Sequence, residues 1–157
     1  MAQALTALLA GGDDRQVISF EVAGQEFCLD VGAVRELRGF TEPTPMPDSP
    51  PYVTGVINLR GTVMPVIDLR ARLGFAGLDP AARPVIVVIE VRGECAGLMV
   101  DAVCDTYTVA PGDLTPPPAF SEYASDGVVS GVIKAGDKMI ILLTPDTLLP
   151  QGLAAAA

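Results

Sequence analysis

The sequence predicts an all-β chain made of two similar small β-units, a barrel or a sandwich rather than an α/β fold. Three observations predict it. Short apolar segments recur along the 157 residues, and 16 Gly and 14 Pro fall mostly between them, the pattern of strands joined by turns. Residues 17–36 moved forward by 69 fall on 86–105 without a gap. Glu21/Glu90, Val22/Val91, Gly24/Gly93, Leu29/Leu98, Val31/Val100, Ala33/Ala102 and Val34/Val103 then coincide. Residues 53–73 moved by 76 bring Val53, Gly55, Val56, Ile57 and Leu73 onto Val129, Gly131, Val132, Ile133 and Leu149. The offsets differ by seven residues, which the Pro-rich connectors 43–51 and 111–118 absorb. A chain that matches itself in gapless registers, glycines included, carries a duplicated supersecondary unit.

The elements follow in order. Met1 to Arg15 is expected to be a loose arm, with a helical turn around Leu5–Leu9 ended by Gly11-Gly12. Gln16–Val22 alternates, placing Ile18, Phe20 and Val22 on one face and Ser19 and Glu21 on the other. Val85–Val91 is apolar on both faces, as a strand buried from two sides should be. Further strands are expected at Glu26–Val31, Val53–Leu59, Thr62–Ile67, Cys95–Val100, Thr106–Val109, Val128–Ile133 and Lys138–Leu143. Leu69–Leu73 and Pro145–Leu149 are each expected to form a helical turn or two, the second opened by Pro145. One domain is expected over 16–149, holding two pseudo-repeated barrel units, with a tail at 150–157.

Composition narrows the function. Lys and Arg total 10 against 19 Asp and Glu, a formal charge of −9. That balance opposes phosphate backbones and anionic membrane surfaces, so neither nucleic acid nor direct membrane insertion is expected. The apolar stretches, Met139–Leu143 among them, fall far short of the roughly 18 residues a membrane helix needs. Met1–Ala10 has no basic residue ahead of its apolar run, unlike a secretory signal. There is no histidine, which removes Ser-His and Cys-His pairs and most zinc sites. Cys28, Cys95 and Cys104 are odd in number and have no C-x-x-C spacing, which fits reduced thiols in a cytosolic protein rather than a disulfide framework or a metal site. No phosphate-cradling G-x-x-x-x-G-K-[ST] run occurs. An enzyme using Cys95 or Cys104 as nucleophile has only the thiols themselves in its favour. The composition leans to a non-enzyme without cofactor or metal.

Positions that differ between the two copies direct attention to task rather than fold. Asn58-Leu59-Arg60-Gly61 in the first copy faces Lys134-Ala135-Gly136-Asp137 in the second. Both join apolar strands, and Gly61 suits a turn with positive φ. Only the first carries an Arg there, whose planar fork can hold a carboxylate with two bonds. Glu36 is a candidate partner, and Glu42 and Asp68 are alternatives.

The run Tyr52-Val53-Thr54-Gly55-Val56-Ile57-Asn58-Leu59-Arg60-Gly61-Thr62-Val63-Met64-Pro65-Val66-Ile67-Asp68-Leu69-Arg70 resembles the signature of the CheW family, the chemotaxis coupling proteins. The likeness extends through Gly24-Gln25-Glu26, Val34-Arg35-Glu36-Leu37, Gly97-Leu98-Met99-Val100-Asp101 and Gly131-Val132-Ile133. It implies two intertwined SH3-like five-stranded β-barrels with short helical segments. It implies an adaptor that links the cytoplasmic tip of methyl-accepting chemoreceptors to the regulatory domain of the histidine kinase CheA, itself CheW-like. Such a protein is cytoplasmic and recruited to receptor arrays at the inner face of the membrane. A CheW-like coupler in a non-flagellar chemosensory pathway is the alternative.

By the same resemblance, a receptor-binding groove lies between the barrels. Val31, Val34, Val100 and Val103 line or support it, and Gly55 and Gly97 lie near the same surface. Arg60 pairs with Glu36 at its edge. Val85, Ile86, Val87 and Val88 are the kinase-facing candidates, with an interior strand as the other reading of the same residues. Family members often carry Leu-Asp where this chain has Leu143-Thr144-Pro145, and Thr144 is expected to cap the last helix in place of that Asp.

Overall fold

The computed structural model describes residues 15–75, 83–116 and 127–149. The expected turn at Leu5–Leu9, the tail at 150–157 and all of the arm except Arg15 lie outside the described residues. Arg15 opens the first strand.

Three hairpins share one turn chemistry. β1 (Arg15–Val22) and β2 (Gln25–Asp30), β4 (Val53–Leu59) and β5 (Thr62–Asp68), and β6 (Val85–Val91) and β7 (Glu94–Val100) are each joined by two residues. These are Ala23-Gly24, Arg60-Gly61 and Arg92-Gly93, all with positive φ, the turn whose twist matches that of the flanking strands. β3 is Val34–Arg38, β8 is Ala102–Val109, β9 is Leu114–Thr115, and β10 (Val129–Ala135) pairs with β11 (Lys138–Leu143). Short helices follow β5 at Leu69–Arg72 and β11 at Pro145–Leu148.

The strands form two sheets, ordered β8-β1-β2-β11-β10-β9 and β3-β6-β7-β5-β4. Each sheet takes the first hairpin of one copy and the later strands of the other. The exchange is sealed by two parallel pairings, β2 with β11 and β5 with β7. The duplication holds at the level of single registers. Cys28 faces Leu142, and moving these residues by the two offsets reproduces the pairing of Gly97 with Val66. Val34 opposite Ile89 maps onto Val103 opposite Phe20 in the same way. Bulges recur at Val53/Gly55 and Val129/Gly131. In one sheet a bridge between Thr44 and Val56 returns the chain after β3 to the edge of β4. In the other, β9 does the same when Thr115 pairs with Val132 of β10. With β8 and β9 taken as one bent strand, each sheet is a five-stranded barrel, and the two barrels are intertwined.

Alternation along the exchanged strands explains their unbroken apolarity. One barrel is filled by Val17, Cys28, Val109, Leu114, Ile133, Ile140 and Leu142. The other is filled by Ile57, Leu59, Met64, Val66, Ile86, Val88 and Met99. A third cluster lies between them and draws Phe20, Phe27 and Leu29 from one sheet, and Val87, Ile89, Leu98 and Val100 from the other. Leu69, Leu73, Leu148 and Leu149, in and beside the short helices, close its ends. Strand β6 therefore sends Ile86 and Val88 into its own barrel and Val87 and Ile89 into the shared core.

The structure departs from the sequence reading at several points. β3 and β9 were not among the expected strands. β8 starts four residues before Thr106, and Val31 leaves β2 for a 3₁₀ turn, Val31–Ala33, closed by Gly32 N–H donating to Asp30 Oδ1 at 2.8 Å. Pro145 does sit in the first turn of its helix with Thr144 at the N-cap, but the Thr144 side chain makes no capping bond. Its buried hydroxyl is hydrogen-bonded to that of Ser130 instead. A buried hydroxyl facing another satisfies both groups, which a cap would not.

Candidate functional site

Gly55 fixes the entry to the signature hairpin. The segment before β4 returns to β4 through Thr44, with Thr44 N–H donating to Val56 O at 2.8 Å and Val56 N–H to Thr44 O at 2.9 Å. A Cβ on Gly55 would stand 2.2 Å from Thr44 O, and Gly55 has φ +154°. Only glycine lets the two backbones meet there. Gly97 serves close packing of another kind, since a Cβ there would meet Ile86 Cγ2 at 2.8 Å.

The hairpin turn then presents Arg60. Asn58 Oδ1 accepts from Gly61 N–H at 2.9 Å and fixes the loop, while Arg60 itself has φ +51°. Its guanidinium donates to Glu36 from Nη2 at 2.8 Å and from Nη1 at 3.5 Å. Of the three carboxylates left open by the sequence, Glu36 is the partner. Asp68 instead accepts from Arg70 N–H and opens the helix Leu69–Arg72. The Arg60 side chain is 71% exposed and that of Glu36 27%. Such an exposed pair contributes about 0–1 kcal/mol to stability.

The four valines divide by depth. Val100 is fully buried in the shared core, so it supports a surface without forming one. Val34 and Val103 are half-buried at the rim of that core, at pseudo-equivalent positions on β3 and β8. Val31 is exposed in the 3₁₀ turn. Leu37 and Phe40 are also exposed, on β3 and just beyond it. The kinase-facing candidates fare differently. Ile86, Val87 and Val88 are buried in a strand paired on both sides, by β3 and β7. Ile86 and Val88 point into one barrel and Val87 into the shared core, while Val85 is half-buried.

Two features escaped the sequence. The first is an apolar cavity of about 330 Å³ on the β3-β6-β7-β5-β4 barrel, lined by Met46, Pro50, Val53, Val63, Pro65 and Cys95 among others. Met46 and Val63 are exposed there, Val63 at 60%. The connector 43–51, read only as a linker, builds one wall. Met139, 58% exposed, is the counterpart of Val63 under the 76-residue offset. The second feature is an ion pair. Arg70 donates to Asp101 from Nε at 3.0 Å and from Nη2 at 2.8 Å, and Ala23 N–H donates to the same carboxylate at 2.9 Å. The Arg70 guanidinium, helped by the Ala23 N–H, holds the Asp101 carboxyl below its ordinary value. Arg35 does the same for Glu90 in a more exposed pair across β3 and β6.

The surroundings of Cys28 and Cys104 disfavour a thiolate. Burial pushes the Cys28 thiol up strongly, and burial and nearby carboxylates raise that of Cys104. Among the described residues no three His, Cys, Asp or Glu side chains come together as a metal site, and no helix is long and apolar enough to cross a membrane.

Known proteins carry this architecture. The family model described as CheW-like domain matches residues 16–152. The chain is 44% identical over 151 residues to the chemotaxis protein CheW of Rhizobium meliloti (strain 1021), covering 96% of each. It is 30% identical over 147 residues to that of Bacillus subtilis (strain 168), covering 94% of this chain and 93% of that one. The crystal structure of the scaffolding protein TtCheW from Thermoanaerobacter tengcongensis superposes with a TM-score of 0.80 at 32% identity, over 86% of this chain and 92% of that one. Exchanged barrels, the N-L-R-G turn paired to β3 and these likenesses agree: the chain belongs to the CheW-like domain family.

Proposed function

We propose that the chain is a non-enzymatic adaptor that couples chemoreceptors to the histidine kinase CheA. In this reading it works in the cytoplasm, at receptor arrays on the inner face of the membrane. The observation that carries the reading is the Arg60–Glu36 pair at an exposed edge beside the half-buried Val34 and the exposed Leu37. An amphipathic receptor hairpin docks by laying an apolar stripe along such a rim, and a fixed Arg–carboxylate pair gives it register. The kinase's CheW-like regulatory domain takes a second surface, the cavity edged by Met46 and Val63, since exposed apolar side chains around a concavity are the anchors of protein interfaces. That placement replaces the buried Ile86–Val88 segment.

The test is CheA autophosphorylation in receptor-bearing membranes with and without the protein, wild type beside Arg60→Ala and Glu36→Ala. Wild type is expected to stimulate the kinase, attractant to switch it off, and both variants to lose coupling while keeping native circular dichroism. Absence of stimulation by wild type with its cognate kinase would overturn the adaptor reading. Normal coupling by both variants would leave the adaptor in place and remove the pair from its working surface. Val63→Glu is expected to lose kinase binding and keep receptor binding; unchanged kinase binding would exclude the cavity.

A further inference from the structure

The chain crosses from one barrel to the other at two pseudo-equivalent places, and they are built differently. At the first, between β2 and β3, Asp30 turns onto the N–H of Gly32 two residues on, and Val31 stays exposed. At the second, between β7 and β8, Asp101 stands where the first crossing has Gly32. Its carboxylate takes two bonds from Arg70 and one from Ala23 N–H, and its own N–H donates to Glu21 O at 2.9 Å. These contacts join the helix after β5 of one barrel, β1 and the β1–β2 turn of the other, and the crossing itself. Both side chains are largely shielded, 23% and 19% exposed, unlike the Arg60–Glu36 pair. Val100, immediately before Asp101, is buried in the shared core, and Val103, two residues after it, is half-buried at the rim. The Asp101 bonds therefore fix the backbone that sets Val103.

We propose that Arg70 and Asp101 are positioning residues for partner docking: they make the β7–β8 crossing the rigid wall of the groove, while the β2–β3 crossing, held by its own Asp30 turn and by the exposed Arg35, whose Nη1 donates to Gly32 O at 3.5 Å, is the wall that yields. A helical hairpin entering the groove is seated against Val103 and met by movement of Val31 and Val34. The inference rests on the adaptor reading.

The experiment measures the affinity of the full-length protein for receptor-bearing membranes and its thermal midpoint, for wild type, Arg60→Ala, Arg70→Gln, Asp101→Asn and the Arg70→Gln/Asp101→Asn double variant. All binding is measured well below the lowest midpoint, so loss of folding does not enter. Arg70→Lys is the folded fallback, since it keeps the charge and loses the fork. Each single variant is expected to bind about tenfold more weakly through a faster off-rate, and the double variant no more weakly than either, because both break the same ion pair. Amide exchange around Val103 is expected to speed up while that of Val31 is unchanged. Wild-type affinity in Arg70→Lys and Asp101→Asn, beside a weakened Arg60→Ala, would overturn the positioning role alone. Failure of wild type itself to bind receptor would overturn the adaptor reading and this inference with it.

Discussion

Single residues show how closely the two barrels are fitted. Ser19 is fully buried where β1 and β8 slip register, and its hydroxyl both donates to Asp105 O at 3.2 Å and accepts from Asp105 N–H at 3.1 Å. Ser19→Ala is expected to cost about 1 kcal/mol in denaturant unfolding, because the N–H and C=O of Asp105 lose their partner in part-buried hydrogen bonds. Gly55→Ala is expected to cost about 2–3 kcal/mol, since the clash is with backbone that cannot swing aside. Gly97→Ala is expected to cost less, because the obstructing atom belongs to the Ile86 side chain. Asp101 gives a pH signature. Its folded value is depressed below the ordinary 3.8, so its contribution is full at neutral pH and is lost as pH falls through the folded value. Between about pH 5 and pH 3 the wild type should therefore lose more stability than Asp101→Asn, a difference that thermal melts across that range will register.

At the level of elements, the sequence made most strands legible and left the edges obscure. β4, β6 and β11 match the expected bounds residue for residue, because each is apolar enough to mark its own length and ends at a turn. β3 escaped because Val34-Arg35-Glu36-Leu37-Arg38 sits at a sheet edge, carries a bulge and buries none of its five side chains fully, charged ones among them. β9 is two residues long and exists only because β10 offers it an edge. Arg60 and its turn were readable from the difference between the copies, but the choice of Glu36 over Glu42 or Asp68 needed the fold or the resemblance. The cavity at Met46 was invisible, since it depends on how 43–51 lies over β4. The Arg70–Asp101 pair spans 31 positions that spacing alone does not connect. The helix after β5 offers a direct check: Asp68→Ala removes the acceptor for Arg70 N–H and is expected to cost about 1 kcal/mol. Equilibrium unfolding beside Asp68→Asn, which keeps an acceptor, separates the cap from the charge.

The whole molecule is two barrels that cannot be taken apart by cutting the chain once. Residues 1–82 keep β1 to β5 but lose β6, β7 and the strands β8 and β11 that flank their first hairpin. Each half produced alone is expected to lack the sheet signal in far-ultraviolet circular dichroism, and mixing the halves to restore it; a folded isolated half would refute the interlock. The parallel pairing of β2 with β11 also sets an order in time. Phe27 meets Ile141, so at about 5–20 residues per second the ribosome leaves β2 waiting roughly 6–23 s for its neighbour. During that interval the first hairpin shows an open edge and half of an unfinished core. The newborn chain is thus exposed to wrong partners until its last strand emerges, and slower translation lengthens that exposure.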